Sequence, residues 1–384
     1  MNPTDNQINN KANTQIYNQG ILPIIIPISI AIFIANIFLF SFFCHGHDVL
    51  HYYRADPLFS EPRFEKPWLA SLDIGLGSGY TSTAFNNHGK KVNILNIYDL
   101  PKKHENKMAQ KGSFVFHEIN IAYTQNFNYG LFIKAHLPLR TDTFFIHTIT
   151  GDSIQNRDDQ LATDQHIPGQ KKENIFEPGP SIIATQCIKN TDAGDLSIMA
   201  GWTINYQKPK TLDFVDITLK AGILFPTGQQ KNFYPFSVPH GYDGLWGIPI
   251  SADIAIGCYE WLTIGSHLEI LPLWARHNPI TYGRVGMYSK ADHIMHGLSL
   301  LLGYTYSNKN SSHALSKKIG PTTTKPEIEP WSMHTIHFAL EYDLTEYDSF
   351  LGPRIGFFID TPVYGKNIFK TTMSGIFLGL EIAT

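Results

Sequence analysis

From residue 69 to the end of this 384-residue chain, apolar residues alternate with small or polar ones at a period of two, segment after segment. In "HTIHFALEYD", Ile336, Phe338, Leu340 and Tyr342 fall on one face and His337, Ala339 and Glu341 on the other. That period belongs to a strand with one greasy and one hydrophilic face. No segment in this region is an uninterrupted run of 18 apolar residues, so a bundle of spanning helices is excluded. Charged residues make up 16% and aromatics 13%, with 30 glycines and 23 prolines, as suits an all-β chain rich in turns. A net charge of -3 points to no polyanionic partner, so no nucleic-acid binding is expected.

The stretch "LASLDIGLGSGYTSTAF" looks at first like a phosphate-cradling loop. A dinucleotide fingerprint needs G-x-G-x-x-G and then a helix, whereas here Gly79 comes one residue early and Tyr80 stands in its place. At period two the segment sorts instead into a strand, with Leu72, Ile74, Leu76 and Tyr80 opposite Ser71, Asp73, Gly75, Gly77 and Gly79. The same pattern marks strands near residues 118–125, 129–137, 181–189, 195–206, 213–225, 247–260, 263–274, 297–306, 335–343, 353–360 and 373–384. Short connections are expected at "NFN", "NTDAG" and "TEYDS", and long ones at 84–112 and 140–178. A tight turn at Glu260 then falls on the wrong side, which implies a strand miscounted between 207 and 330 or a long loop folded inward.

A soluble sandwich also alternates apolar and polar residues. Runs of about ten residues are long enough to cross a bilayer tilted. The polar face carries Gly, Ser, Thr, Lys, Asp and Glu, as an enclosed lumen would. Aromatics collect at strand ends as interfacial girdles: Tyr80, Tyr129, Trp202, Tyr206, Trp261, Trp274, Tyr304 and Trp331. The fold expected is an all-β, closed antiparallel transmembrane β-barrel of about 12 strands (10–14). Residues 21–43 are an uncharged apolar run followed by "CHGHD". They read as an export signal with an extended polar n-region, cleaved near Gly46, or alternatively as an uncleaved anchor. Residues 1–46 are therefore assigned to the signal, 47–67 to a periplasmic lead-in or partial plug, and 68–384 to the barrel. The destination is the outer membrane of a Gram-negative-type bacterium, with outer-membrane lipid and the barrel-assembly machinery as partners.

The segment "LKAGILFPTGQQK", a strand ending in apolar-Pro-Thr-Gly, resembles outer-membrane channels grouped with phenol and meta-pathway degradation, akin in style to the long-chain fatty acid channel. "AGDLSI", expected to turn a hairpin, is similar to the same group. The resemblance implies a barrel that admits small, often apolar molecules.

The inward positions Asp73, Glu118, Lys134, His136, Asp216, Lys220, Asp253, His267, Glu269, Glu341, Arg354 and Asp360 are the candidate lumen-lining residues that set selectivity. Their bland reading is a set of ion pairs bracing a filled interior. The reading for the whole is passive movement of a small-molecule solute with no enzyme activity, no cofactor and no metal. The alternative is a structural or adhesive barrel acting through its outer loops. An integral-membrane hydrolase would need a nucleophile beside His267 and Glu269, and the sequence shows none there. The histidines at 45, 47 and 51 lie at the leader junction and read as a mobile tail, and Asp152, Asp158 and Asp159 lack the regular spacing of a calcium site and read as a solvated outer loop.

Overall fold

The computed structural model describes residues 68–95, 108–150, 182–208, 212–228, 240–258 except 243, 261–274, 280–295, 297–310, 330–344 and 351–383. The leader, the lead-in segment and the "TEYDS" connection lie outside the described residues.

The wall begins with β1 (Trp68–Thr81), and the small strands β2 (Thr83–Phe85) and β3 (Lys91–Asn93) follow it. Then come β4 (Met108–Asn126), β5 (Leu131–Thr150), β6 (Ile182–Ala193), β7 (Leu196–Lys208) and β8 (Leu212–Phe225). After the two-residue β9 (Trp246–Gly247), the wall resumes with β10 (Ile250–Cys258), β11 (Leu262–Trp274), β12 (Ile280–Met295) and β13 (Leu298–Asn310). It ends with β14 (Trp331–Asp343), β15 (Leu351–Lys366), β16 (Ile368–Phe369) and β17 (Thr372–Ala383). Each wall strand pairs antiparallel with its neighbours in the chain, and β17 returns to pair with β1 from Trp68↔Ala383 to Tyr80↔Thr372. The result is a closed antiparallel barrel of twelve strands, with β6 and β7 counted as one. Closure pairs every wall strand with a neighbour on each side, the condition for a sheet to sit in lipid.

The two faces differ as the alternation requires. Leu72, Ile119, Leu219, Ile264, Leu302 and Ile355 point outward and are exposed. Their inward neighbours Ser71, Glu118, Lys220, Thr263, Ser299 and Arg354 are buried. A continuous band of exposed Ile and Leu is unfavourable in water by about 1.5–3 kcal/mol per side chain. Against acyl chains that cost vanishes.

Inward glycines make room for rings. Gly201 lies opposite Phe132, Gly257 opposite Phe214, Gly265 opposite Tyr288 and Gly356 opposite Phe377. In each case an added Cβ would meet the partner's ring. Gly79, from the stretch that first resembled a phosphate loop, takes the ring of Phe116 in the same way. The ring covers backbone that glycine leaves bare, which pins the register.

Two readings of the sequence need correction. First, "NTDAG" is not a turn. β5 pairs with β7 through His136↔Ser197 and with β6 from Leu139↔Ala193, so β6 and β7 run on as one long strand. The single-residue offset at Gly194–Asp195 is a β-bulge. Second, Ile280–Met295 is a strand the alternation did not reveal. The extra strand and the missed one cancel, so the count of twelve stands. With both corrected, the connections at 127–130, 209–211, 259–261, 296–297 and 344–350 all join strands at one end, together with Trp68 and Ala383. The β10–β11 connection is then on the same side as the rest, with Glu260 itself outside the described residues. Short turns mark the periplasmic end. The first of them is built on Tyr129 (φ 64) and Gly130 (φ 75), left-handed backbone of the kind a tight hairpin uses.

At the outer end, β16, β2 and β3 form a three-stranded sheet. Its Ala84 and Phe369, with Ile94 and Leu95, pack on inward Phe114, Phe116, Phe144, Ile146 and Met373 of the wall. An apolar layer therefore covers this part of the outer interior.

Candidate functional site: the barrel interior

Below the apolar layer the interior is charged. Among the described residues, four clusters of its side chains are assembled across strands by register.

Arg354 on β15 carries one cluster. Its guanidinium meets Asp73 on β1 at 2.9 Å, Glu341 on β14 at 3.4 Å and Glu381 on β17 at 3.3 Å. Gly379 stands in register between Arg354 and Asp73. A Cβ there would come within 2.8 Å of the Asp73 carboxylate and 3.0 Å of Arg354 Nε. The glycine is thus what lets the arginine reach over β17. Lys290 on β12 joins from the other side, 3.3 Å from both Glu341 and Asp292.

The second cluster crosses β8, β10, β11 and β12. Lys220 Nζ lies 3.0 Å from Asp253. Asp253 also pairs with His267 Nδ1, and the opposite ring nitrogen lies 3.5 Å from Glu269. Arg284 closes the chain on Glu269 at 2.6 Å.

The third joins Glu118 on β4 to Arg140 on β5. The Asn120 amide donates to Glu118, and Asn120 Oδ1 meets His136 Nε2 at 3.1 Å. Arg140 also stands over the Phe116 ring, 5.7 Å from its centroid. This is where the charged and apolar layers meet.

The fourth is a row across β13, β14 and β15. Thr305 Oγ1 lies 2.7 Å from His337 Nε2, and His337 Nδ1 lies 2.5 Å from Asp360. The order hydroxyl–imidazole–carboxylate is that of a hydrolase triad. The Thr305 side chain, however, belongs to a residue only 1% exposed, so a substrate carbonyl has no approach to its hydroxyl. The row is a buried hydrogen-bond chain tying three strands.

All twelve candidate lumen residues thus lie on the inward face. Asp73, Glu118, His136, Lys220, Asp253, His267, Glu269, Glu341, Arg354 and Asp360 fall into these clusters. Lys134 is buried on β5, and Asp216 accepts a hydrogen bond from Asn205 across β7 and β8. Arg140, Arg284, Lys290, Thr305 and His337 were missed as partners. His337 was visible on the polar face of its strand, and Arg284 and Lys290 lay on the strand that went unrecognised.

Of the girdle aromatics, Tyr80, Tyr129, Trp202, Trp261, Trp274 and Tyr304 are exposed and Tyr206 is half-buried. Trp331 is different. It is 3% exposed and packs with Phe85, Met333 and Ile368, so it belongs to the outer cap and not to a lipid interface.

The two stretches that carried the family resemblance meet in space. Asp195, in the bulge, accepts the Gly228 N–H at 2.8 Å and the Tyr242 N–H at 2.6 Å. Thr227 donates its hydroxyl to the Gly194 carbonyl and accepts the Leu196 N–H, both at 2.9 Å. Pro226–Gly228 is therefore docked onto the bulge, and both hold the returning segment 240–249. That segment turns inward. His240 is buried against Asp142 at 3.1 Å, and Tyr242 stacks edge-on against Tyr282 with ring centroids 5.0 Å apart. Tyr242 and Leu245 pack on Leu224, Leu271 and Leu273. A long loop folding inward was one of the two alternatives the sequence left open, and it occurs together with the other.

No protein-family model matches this chain, and no curated protein sequence does. Solved structures do. An outer membrane channel from Pseudomonas putida F1 is 10% identical, with 82% of this chain and 96% of that one covered at a TM-score of 0.50. The NanC porin is 9% identical over 82% of this chain and 100% of its own, at a TM-score of 0.35. A FadL homologue from Pseudomonas aeruginosa is 9% identical over 82% and 89%, at 0.28. The first establishes a shared fold, and the lower scores of the other two add nothing to it. With its closed wall and outward apolar band, the chain is a β-barrel of the outer-membrane channel fold, seated in the outer membrane of a Gram-negative-type bacterium.

Proposed function

We propose that this barrel is a narrow conduit for passive movement of small solutes across the outer membrane, with selectivity set by its paired interior charges. The observation that carries the reading is the run of cross-strand ion pairs along the inward face, at Lys220–Asp253–His267–Glu269–Arg284 and around Arg354. A barrel of twelve strands lies between the small ones that side chains fill and the larger ones that leave an aqueous channel. Charges at that diameter act on anything that passes. Among the described inward residues, carboxylates outnumber lysines and arginines, so cations are preferred. The apolar layer under β2, β3 and β16 supports first contact with small apolar molecules at the outer end.

The test is conductance of the purified protein in planar bilayers. Replacing Lys134 and Lys220 with Gln is expected to shift the reversal potential further toward cations. Selectivity and conductance both unchanged would remove these residues from the path. A protein that never conducts would leave the adhesive or structural reading in its place.

A further inference from the structure

On β17, β1, β4, β5 and β6 the lipid-facing wall changes chemistry from one outward position to the next. The outward residues Ile376, Leu76, Ile119, Leu139 and Ala193 stand opposite one another in that order across the five strands. All are aliphatic. One outward position nearer the outer end, the register line reads Ser374, Ser78, His117, Thr141 and Thr191. Every side chain in that line can make hydrogen bonds. With strands about 4.8 Å apart, it runs for about 19 Å. Followed the other way from Ser374 it turns apolar at once, with Ile359 and then Phe338. The polar row is therefore confined to this sector.

The relief of the surface follows from side-chain size. Ser and Thr are shorter than Leu and Ile, so the wall steps back above the aliphatic row. It leaves a groove of about 680 Å³, lined by Leu76, Ile119, Leu139 and Ile376 below and by the polar row above. The charged residues that border it, Glu118, Arg140 and Asp192, occupy inward positions. Ser78, Ser374, His117 and Thr191 are exposed. Thr141 and Thr191 share a hydrogen bond at 3.1 Å. Whichever hydroxyl donates, the other keeps its own proton for a third group.

A hydroxyl that faces hydrocarbon without a partner is costly. An occupant of this groove therefore has to supply acceptors level with the upper row and aliphatic surface level with the lower one. A fully apolar solute fails the first condition, and a sugar fails the second. An acyl chain ending in an ester or amide carbonyl meets both. We propose that the groove binds an acyl lipid of the outer leaflet through its linkage region. A chain lies against Leu76, Ile119, Leu139 and Ile376, and the linkage carbonyls accept hydrogen bonds from Ser78, Ser374 and the Thr141–Thr191 pair. Headgroup charge plays no part in this recognition. The site lies on the outward wall and is independent of whether the lumen conducts.

The test uses the full chain in detergent, with native mass spectrometry after addition of a phosphatidylethanolamine whose two chains are ester-linked, or of the ether-linked form with the same chains and headgroup. The ether form differs only in lacking the carbonyls. The wild type is expected to retain the ester lipid about tenfold over the ether lipid, the scale of two net hydrogen bonds. Ser78→Ala, Ser374→Ala, Thr141→Val and Thr191→Val together should remove that preference and leave the unheated gel mobility of the barrel unchanged. Ser374→Trp, which fills the groove, should weaken retention of both lipids. Equal retention of the two lipids by the wild type would overturn the proposal without recourse to any variant. So would a preference undiminished in the quadruple variant, or retention that Ser374→Trp leaves as it was.

Discussion

At the scale of single residues, Arg354 is the most heavily loaded position in the barrel. It is buried, and it is the shared cation of Asp73, Glu341 and Glu381. A buried pair contributes little net stability, but removal of one partner strands the other. Arg354→Leu is therefore expected to destabilise the folded barrel by about 3–5 kcal/mol, read as a lower urea midpoint for loss of the heat-modifiable band. No change in midpoint would mean that water already solvates these carboxylates. The inward charges themselves were legible in the sequence, because period two assigns each residue a face. Their partners were not. Arg354 meets Asp73 only because β17 lies between them with a glycine at the crossing, and sequence alone does not show which strand returns to β1. Trp331 was misjudged for a related reason. It closes a strand as a girdle residue does, yet it is covered by Phe85 and Ile368, which come from far apart in the chain.

At the scale of elements, the errors came from places where two structures use the same residues. A bulge and a turn both favour Asn, Asp, Gly and Thr, so "NTDAG" read as a turn although the chain continues straight through it. β12 failed in the opposite way. Its outward face is Thr281, Gly283, Val285, Met287, Ser289 and Ala291, while Tyr282 and Tyr288 point inward beside Arg284 and Lys290. The greasy side is pale and the polar side carries rings, so alternation of hydrophobicity nearly disappears. The bulge has a job that a plain strand lacks, because its Asp195 carboxylate holds Gly228 and Tyr242 at once. Asp195→Ala is expected to release segment 240–249 from the interior and raise single-channel conductance, with barrel mobility on unheated gels preserved. Unchanged conductance would show that this segment does not narrow the path.

At the scale of the whole molecule, one physical relation orders everything described. Antiparallel pairing runs without a break around the wall, so every outward residue faces lipid and every inward one is enclosed. The alternation foretold this, since a sheet greasy on one side for so many strands must either pack that side or surround itself with hydrocarbon. It did not foretell the outer cap, and it left the inward loop as one of two alternatives, because both are built from connections with no regular period. Closure is what separates a barrel from a sandwich made of the same strands, and the pair that closes the chain on itself is β1 with β17. Ile74 and Leu378 are opposed in that pair, at the separation of about 4.5–5.5 Å expected across an antiparallel ladder, which is within disulfide reach. In a background with its three native cysteines replaced by serine, Ile74→Cys with Leu378→Cys should oxidise in isolated outer membranes. After boiling it should then run as a looped species that reductant returns to the linear position. If the two thiols stay free, or form bonds only between separate chains, the first and last strands are not neighbours and the barrel is not closed.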